Sequence, residues 1–120
     1  MSPRDVRYRT IGAVMAALCL VGAYGWRREV GQSRAAAWRQ EAQVGQQLFS
    51  ALCETCHGPD GNGAGGAPNL NNGDILQKYP TVSQLTTFIQ QRMPASDPGV
   101  LTPLQARDLA VWIWSLNPPS

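Results

Sequence analysis

Residues 53–57 read Cys53-Glu54-Thr55-Cys56-His57, and His57 is the single histidine of a 120-residue chain. Two thiols three residues apart, followed at once by an imidazole, form the attachment pattern of a c-type haem: each thiol adds to one vinyl group, and a ring nitrogen then meets the iron from the same side. This motif constrains the fold more than composition does, because a flat apolar body tied to a short segment must be wrapped by whatever else the chain supplies. Other uses of the motif fail on their own requirements. Structural zinc takes four ligands, and the only other cysteine, Cys19, sits in an apolar run near the N-terminus. A thioredoxin-like pair belongs in a βαβ pattern, but His57 is followed by Gly58, Pro59 and a glycine-rich stretch without a strand signal. A structural disulfide would leave His57 without a role.

The formal charge is +2, and it is unevenly placed. Residues 1–28 carry +4 and residues 29–120 carry −2, so the basic character belongs to the N-terminus and gives no footprint for nucleic acid. Between flanking arginines, Ile11 to Trp26 is a run of sixteen uncharged residues. As a helix it spans about 24 Å, short of a hydrocarbon core of about 30 Å unless Tyr8, Arg9 and Arg27 extend it by snorkelling. The run reads as a membrane anchor or a signal peptide; Ala23-Tyr24-Gly25 is a weak cleavage site, and the flanking Trp26 and Arg27-Arg28 suit a retained anchor better. Leu18 stands where a lipidated cysteine wants a small residue, so Cys19 reads as an apolar packing residue.

Three ranges follow: 1–28 as anchor or signal peptide, 29–39 as a polar tether, and 40–120 as the folded domain. About 80 residues is close to where a side-chain core alone becomes marginal, and a buried haem would supply the missing apolar volume. From about Arg39 the spacing of Val44, Leu48, Ala51 and Leu52 predicts a helix that delivers its end to Cys53, with Gly45, Phe49 and Cys53 on one face. Residues 57–68 are too rich in Gly and Pro for regular structure. Gly61, Gly63 and Gly66 spell G-x-G-x-x-G, but no strand precedes them and Pro68 follows instead of a helix, so a dinucleotide site is excluded. Thr81-Val82-Ser83-Gln84 and Thr102-Pro103-Leu104-Gln105 read as capping boxes that open two further helices. The first carries Leu85, Phe88 and Ile89 and stops before Pro94; the second carries Leu109, Trp112, Ile113 and Leu116 and is closed by Asn117-Pro118-Pro119. No segment alternates like a strand, so the class is all-α.

In the order of these elements, residues 40 to 117 resemble the class I c-type cytochromes. The shared residues are Gly45 and Phe49, Cys53-x-x-Cys56-His57, Ala67-Pro68-Asn69-Leu70, Met93-Pro94, and Leu109 with Trp112. The resemblance implies a small helical domain around one haem c, covalently held through Cys53 and Cys56. It also implies that Gly45 and Phe49 cross the last helix at Leu109 and Trp112, that the Pro68 carbonyl accepts the outer N–H of His57, and that Met93 is the second axial ligand. Of the methionines Met1, Met15 and Met93, only Met93 lies in the domain, and no second histidine exists. A methionine that merely fills the core is the alternative for Met93. Tyr79 and Trp114 either cover the haem or a propionate or pack as aromatics.

His/Met ligation leaves no open coordination position, which argues for a non-enzymatic one-electron carrier. Its expected partners are a redox protein donor and acceptor and the membrane. Two alternatives stay open: a haem c subunit fixed in a larger oxidase or dehydrogenase, and a haem-based gas sensor or peroxidase-like protein with a labile Met93. The haem domain is expected on the outer face of the membrane, or soluble in the periplasm if the N-terminal segment is cleaved.

Overall fold

The computed structural model describes residues 3–118, without the side chains of Pro3, Asp5 and Val6. Met1, Ser2, Pro119 and Ser120, at the ends of the anchor and domain ranges, lie outside the described residues. In chain order come α1 (Pro3–Leu52), α2 (Glu54–His57), a 3₁₀ turn (Pro59–Gly61), α3 (Asp74–Lys78), α4 (Val82–Arg92) and α5 (Pro103–Ser115). The described residues contain no strand, in agreement with the all-α class. They divide into two units, Met1–Ala36 and Ala37–Ser120, and α1 contributes to both.

In the first unit α1 is unbroken, and the range 29–39, of which 37–39 belong to the second unit, is helical too. Strong helix formers, Ala35-Ala36-Ala37 with Arg and Gln around them, and the absence of proline sustain it without an apolar stripe. Ile11, Leu18, Leu20 and Val21 are each more than 60% exposed. A helix apolar on every side has no polar face to turn to water, and this one is long and apolar enough to cross a membrane.

In the second unit the core lies between the end of α1, α4 and α5. Phe49, Leu85, Leu109 and Val111 are its largest fully buried side chains, each worth about 1.5–3 kcal/mol of transfer free energy. Where α1 crosses α5, Gly45 is required: a Cβ there would overlap the Asp108 carbonyl and stand 2.8 Å from Trp112 Cβ. The rings of Phe49 and Trp112 meet at 4.3 Å one turn further on. The crossing expected from the resemblance is therefore present, with Asp108 rather than Leu109 at the point of closest approach. Every residue from Asp108 to Ile113 is buried, more than a single amphipathic face would bury, because α5 is packed on several sides.

Capping differs between the two helices. At α5 the Thr102 hydroxyl accepts from the Gln105 N–H at 3.2 Å while the Thr102 N–H donates to Gln105 Oε1 at 2.9 Å, a complete box. At α4 the Thr81 hydroxyl accepts from the Gln84 N–H at 3.2 Å but also donates to Gln84 Oε1 at 3.0 Å, so the reciprocal bond falls on the hydroxyl instead of the backbone. After Arg92 the chain turns extended at Met93, as the residue before a proline must.

Beyond α5, Asn117 is 8% exposed. Its Nδ2 donates to the carbonyls of Leu70 and Ile113, each at 2.8 Å, and its Oδ1 accepts the Gly73 N–H at 2.8 Å. From its sequence context alone, Asn117 reads only as a helix stop.

Candidate haem-binding site

Helix α1 ends at Leu52, and the Cys53 N–H still donates to the Phe49 carbonyl at 2.8 Å, so the first thiol is carried on a helical turn. The Cys53 carbonyl then accepts from the Cys56 and His57 N–H groups at 3.1 and 2.9 Å, which makes the motif itself one compact turn. The loop folds back over it: Gly63 N–H donates to the His57 carbonyl at 2.6 Å and Ala67 N–H to the Cys56 carbonyl at 2.9 Å. Gly65 makes this return possible, because a Cβ there would collide with the carbonyls of Thr55 and Cys56. The glycine-rich stretch expected to be free of regular structure holds one 3₁₀ turn, Pro59–Gly61, with Asp60 at φ 53°.

The loop brings the Pro68 carbonyl 2.9 Å from His57 Nδ1. A carbonyl can only accept, so Nδ1 carries the proton, and Nε2 of the buried ring is left with a free lone pair. The Phe49 ring stands 6.3 Å from that of His57.

These residues wall a cavity of about 320 Å³, within the ~300–1,000 Å³ of small-molecule sites. Cys53, Cys56, His57, Pro68 and Met93 all line it, so the structure brings together every site residue expected from the sequence. Tyr79 and Trp114 are not in the wall; the Tyr79 ring packs on Phe88 at 4.7 Å. Leu85, Phe88 and Ile89 of α4 and Leu109 and Ile113 of α5 supply much of the apolar lining, and no Asp, Glu, Lys or Arg contributes. Ile75, on α3, also lines the cavity. Five residues are too few for periodicity to mark that helix; its sequence signal is Asn72-Gly73-Asp74, where Asn72 Oδ1 accepts the Asp74 N–H at 3.1 Å.

Cys53 and Cys56 are free thiols. Burial first, and neighbouring Cys56 second, push the Cys53 thiol up to about 11. It is therefore protonated at neutral pH and behaves as a small apolar wall residue. No group of three or more His, Cys, Asp or Glu side chains among the described residues could hold a bare metal ion. The donor set suits a metal that arrives inside a flat apolar ligand: two thiols, one imidazole with its outer nitrogen engaged and one thioether, around a wall without formal charge. The residues present fit a haem.

An all-α domain with this arrangement around C-x-x-C-H belongs to the class of c-type cytochromes. Within that class, the chain is a member of the family of cytochrome c oxidase, cbb3-type, subunit III, whose model matches residues 40–113. Among its relatives, the cbb3-type cytochrome c oxidase subunit FixPc of Rhizobium leguminosarum bv. viciae is 33% identical over 90 residues, covering 63% of this chain and 31% of the relative. Subunit CcoP of Rubrivivax gelatinosus is 32% identical over 81 residues, covering 65% of this chain and 27% of the relative. The chain thus spans about a third or less of the length of these curated relatives. No solved structure matches it significantly.

Proposed function

We propose that this chain moves single electrons through one covalently bound haem c at a membrane surface, as a haem subunit of a cbb3-type oxidase assembly. The observation that carries the reading is the single cavity wall shared by Cys53, Cys56, His57 and Met93, with His57 Nδ1 already committed to Pro68. When bound, haem c supplies an iron that accepts and releases one electron. Cys53 and Cys56 would hold it by thioether bonds, and His57 Nε2 and the Met93 thioether would be the chain's donors to its iron. A thioether donor would raise the reduction potential, and with His57 and Met93 both bound to the iron the site would have no place for a substrate. Walls without Asp, Glu, Lys or Arg would give the two oxidation states the same uncharged surroundings.

The relatives named as oxidase subunits favour attachment to an oxidase over free shuttling between partners. Segment Ile11–Trp26 would anchor the chain, with residues 29–39 between it and the domain at 40–120. The haem domain would lie on the outer face, where c-type haem is attached in this class.

Native membranes solubilised in mild detergent test this reading. Haem should stay with the polypeptide through denaturing electrophoresis, and the chain should copurify with oxidase subunits. Freely extractable haem would defeat the cofactor assignment. A haem-bearing chain that purifies alone would instead make it a tethered carrier.

A further inference from the structure

We infer that Asn117 is a positioning residue for His57, acting through the loop that carries Pro68 and Leu70; the inference rests on the haem reading above. Proline has no N–H, so the backbone at Pro68 cannot be fixed by a donor of its own. The place of its carbonyl is set by its neighbours. On one side the Ala67 N–H is bonded to the Cys56 carbonyl at 2.9 Å. On the other the Leu70 N–H is bonded to the Gly61 carbonyl at 2.7 Å, and the Leu70 carbonyl is held by Asn117 Nδ2 at 2.8 Å.

Asn117 fastens the same loop again at Gly73, whose N–H it accepts at 2.8 Å. These two bonds link residues 47 and 44 positions apart, whereas the other side-chain hydrogen bonds described in this unit reach at most 11. With a third bond to the Ile113 carbonyl, the amide uses both donors and its acceptor inside a buried site. Ile113 and Leu70 are both in the cavity wall, so Asn117 ties two walls together without touching the cavity. Release of Leu70 would free the segment two residues from Pro68 O and loosen its bond to His57 Nδ1. That bond fixes the orientation of the ring and raises the basicity of its other nitrogen, a role outer-shell partners play at metal-bound histidines.

The test uses the full-length holoprotein with Asn117→Leu, which removes all three bonds, and Asn117→Asp, which keeps the acceptor for Gly73 but cannot donate to Leu70. Val111→Ala serves as the control, since Val111 is fully buried on α5 and outside the cavity wall. Solvent exchange of the His57 Nδ1 proton and of the Gly73 amide is followed by NMR, and the midpoint potential is measured at fixed pH. Both Asn117 variants should speed exchange of the Nδ1 proton about tenfold or more, as expected for a locally opened bond, and the potential should rise in Asn117→Leu, because a less basic Nε2 stabilises the oxidised iron less. Gly73 exchange should quicken in Asn117→Leu and stay slow in Asn117→Asp, and the control should leave all three readings at wild type.

Wild-type readings in both Asn117 variants, or equal changes in Val111→Ala, would overturn the inference and leave a passive helix stop. If Asn117→Leu does not fold, the donor-specific change in Asn117→Asp decides. Wild-type protein lacking bound haem would defeat the haem reading instead; the two exchange rates in that preparation would still decide the clamp.

Discussion

His57 and Met93 are held in the cavity wall in different ways. The imidazole is held by a hydrogen bond, Nδ1 to the Pro68 carbonyl at 2.9 Å, whereas among the described residues no hydrogen bond holds the thioether of Met93, which depends on packing in the apolar wall. The weaker attachment is the one to probe. Met93→Ala should lower the midpoint potential and open the reduced protein to carbon monoxide, while wild type binds it poorly at neutral pH. Ligand titrations read by absorbance check both; rapid, tight binding by wild type would favour the sensor alternative. A second prediction concerns attachment. In chain produced without haem, Cys53, with its thiol at about 11, should be alkylated slowly at neutral pH. Its rate should climb about tenfold per pH unit until that value is passed, because the thiolate is the reacting form. The exposed Cys56 should react first, because reagent reaches it without opening the wall. Peptide mapping after timed alkylation separates the two.

The crossing of α1 over α5 is where elements meet most closely, and packing rather than charge maintains it. Glu41 and Arg107 face each other at 3.1 Å, but Arg107 is about half exposed and Glu41 Oε2 accepts no aligned hydrogen bond. Such a pair contributes about 0–1 kcal/mol. Gly45→Leu, by contrast, would force a side chain against the Asp108 carbonyl and Trp112 Cβ, and overpacking costs about 1–3 kcal/mol. Combined with Trp112→Ala, its effect on denaturant stability should be non-additive, as for residues in contact. Asp108 adds a pH dependence: burial first and Glu41 second raise its pKa above the ordinary 3.8, against an opposing pull from Arg107. A carboxyl whose pKa is higher folded than unfolded binds its proton more readily in the fold. Stability is therefore gained as pH falls through the raised value towards 3.8 and lost as pH rises. Asp108→Asn should raise the melting temperature at neutral pH, with the difference fading in acid. The shared face of Gly45, Phe49 and Cys53 was legible in their four-residue spacing, the crossing itself only through the resemblance to class I c-type cytochromes, and α4 and α5 because each opens on Thr-x-x-Gln. Helix α3 was not, since five residues are too few for periodicity. Asn117 was read only as a stop because its bonds to Leu70 and Gly73 span more than 40 positions, which no local pattern reports. The motif named its ligands for a chemical reason, whereas the walls around them are tertiary.

At the scale of the whole molecule, the proposed anchor would change electron flow through concentration, with the chemistry left to the haem domain. If Ile11–Trp26 stays in the bilayer, the chain should resist carbonate extraction, and its haem domain should be digested by protease added to the outer face. A soluble product beginning near Trp26 would show cleavage instead. Redox contacts are commonly small, under about 1,200 Å², and correspondingly weak. A tether offsets this by holding its cargo at effective concentrations on the order of millimolar near partners. Replacing the anchor with a cleavable signal peptide should therefore release a soluble domain with an unaltered haem spectrum and Met93-dependent potential. At matched amounts it should support much slower oxygen consumption by membranes lacking the native chain. Added excess should recover part of that rate if the domain meets its acceptor through a transient face, and none of it if the anchoring helix is itself required to seat the subunit in the assembly. The cbb3-type relatives lead us to expect the second outcome, with the deficit persisting at saturating soluble protein and disappearing only when the full-length chain is restored.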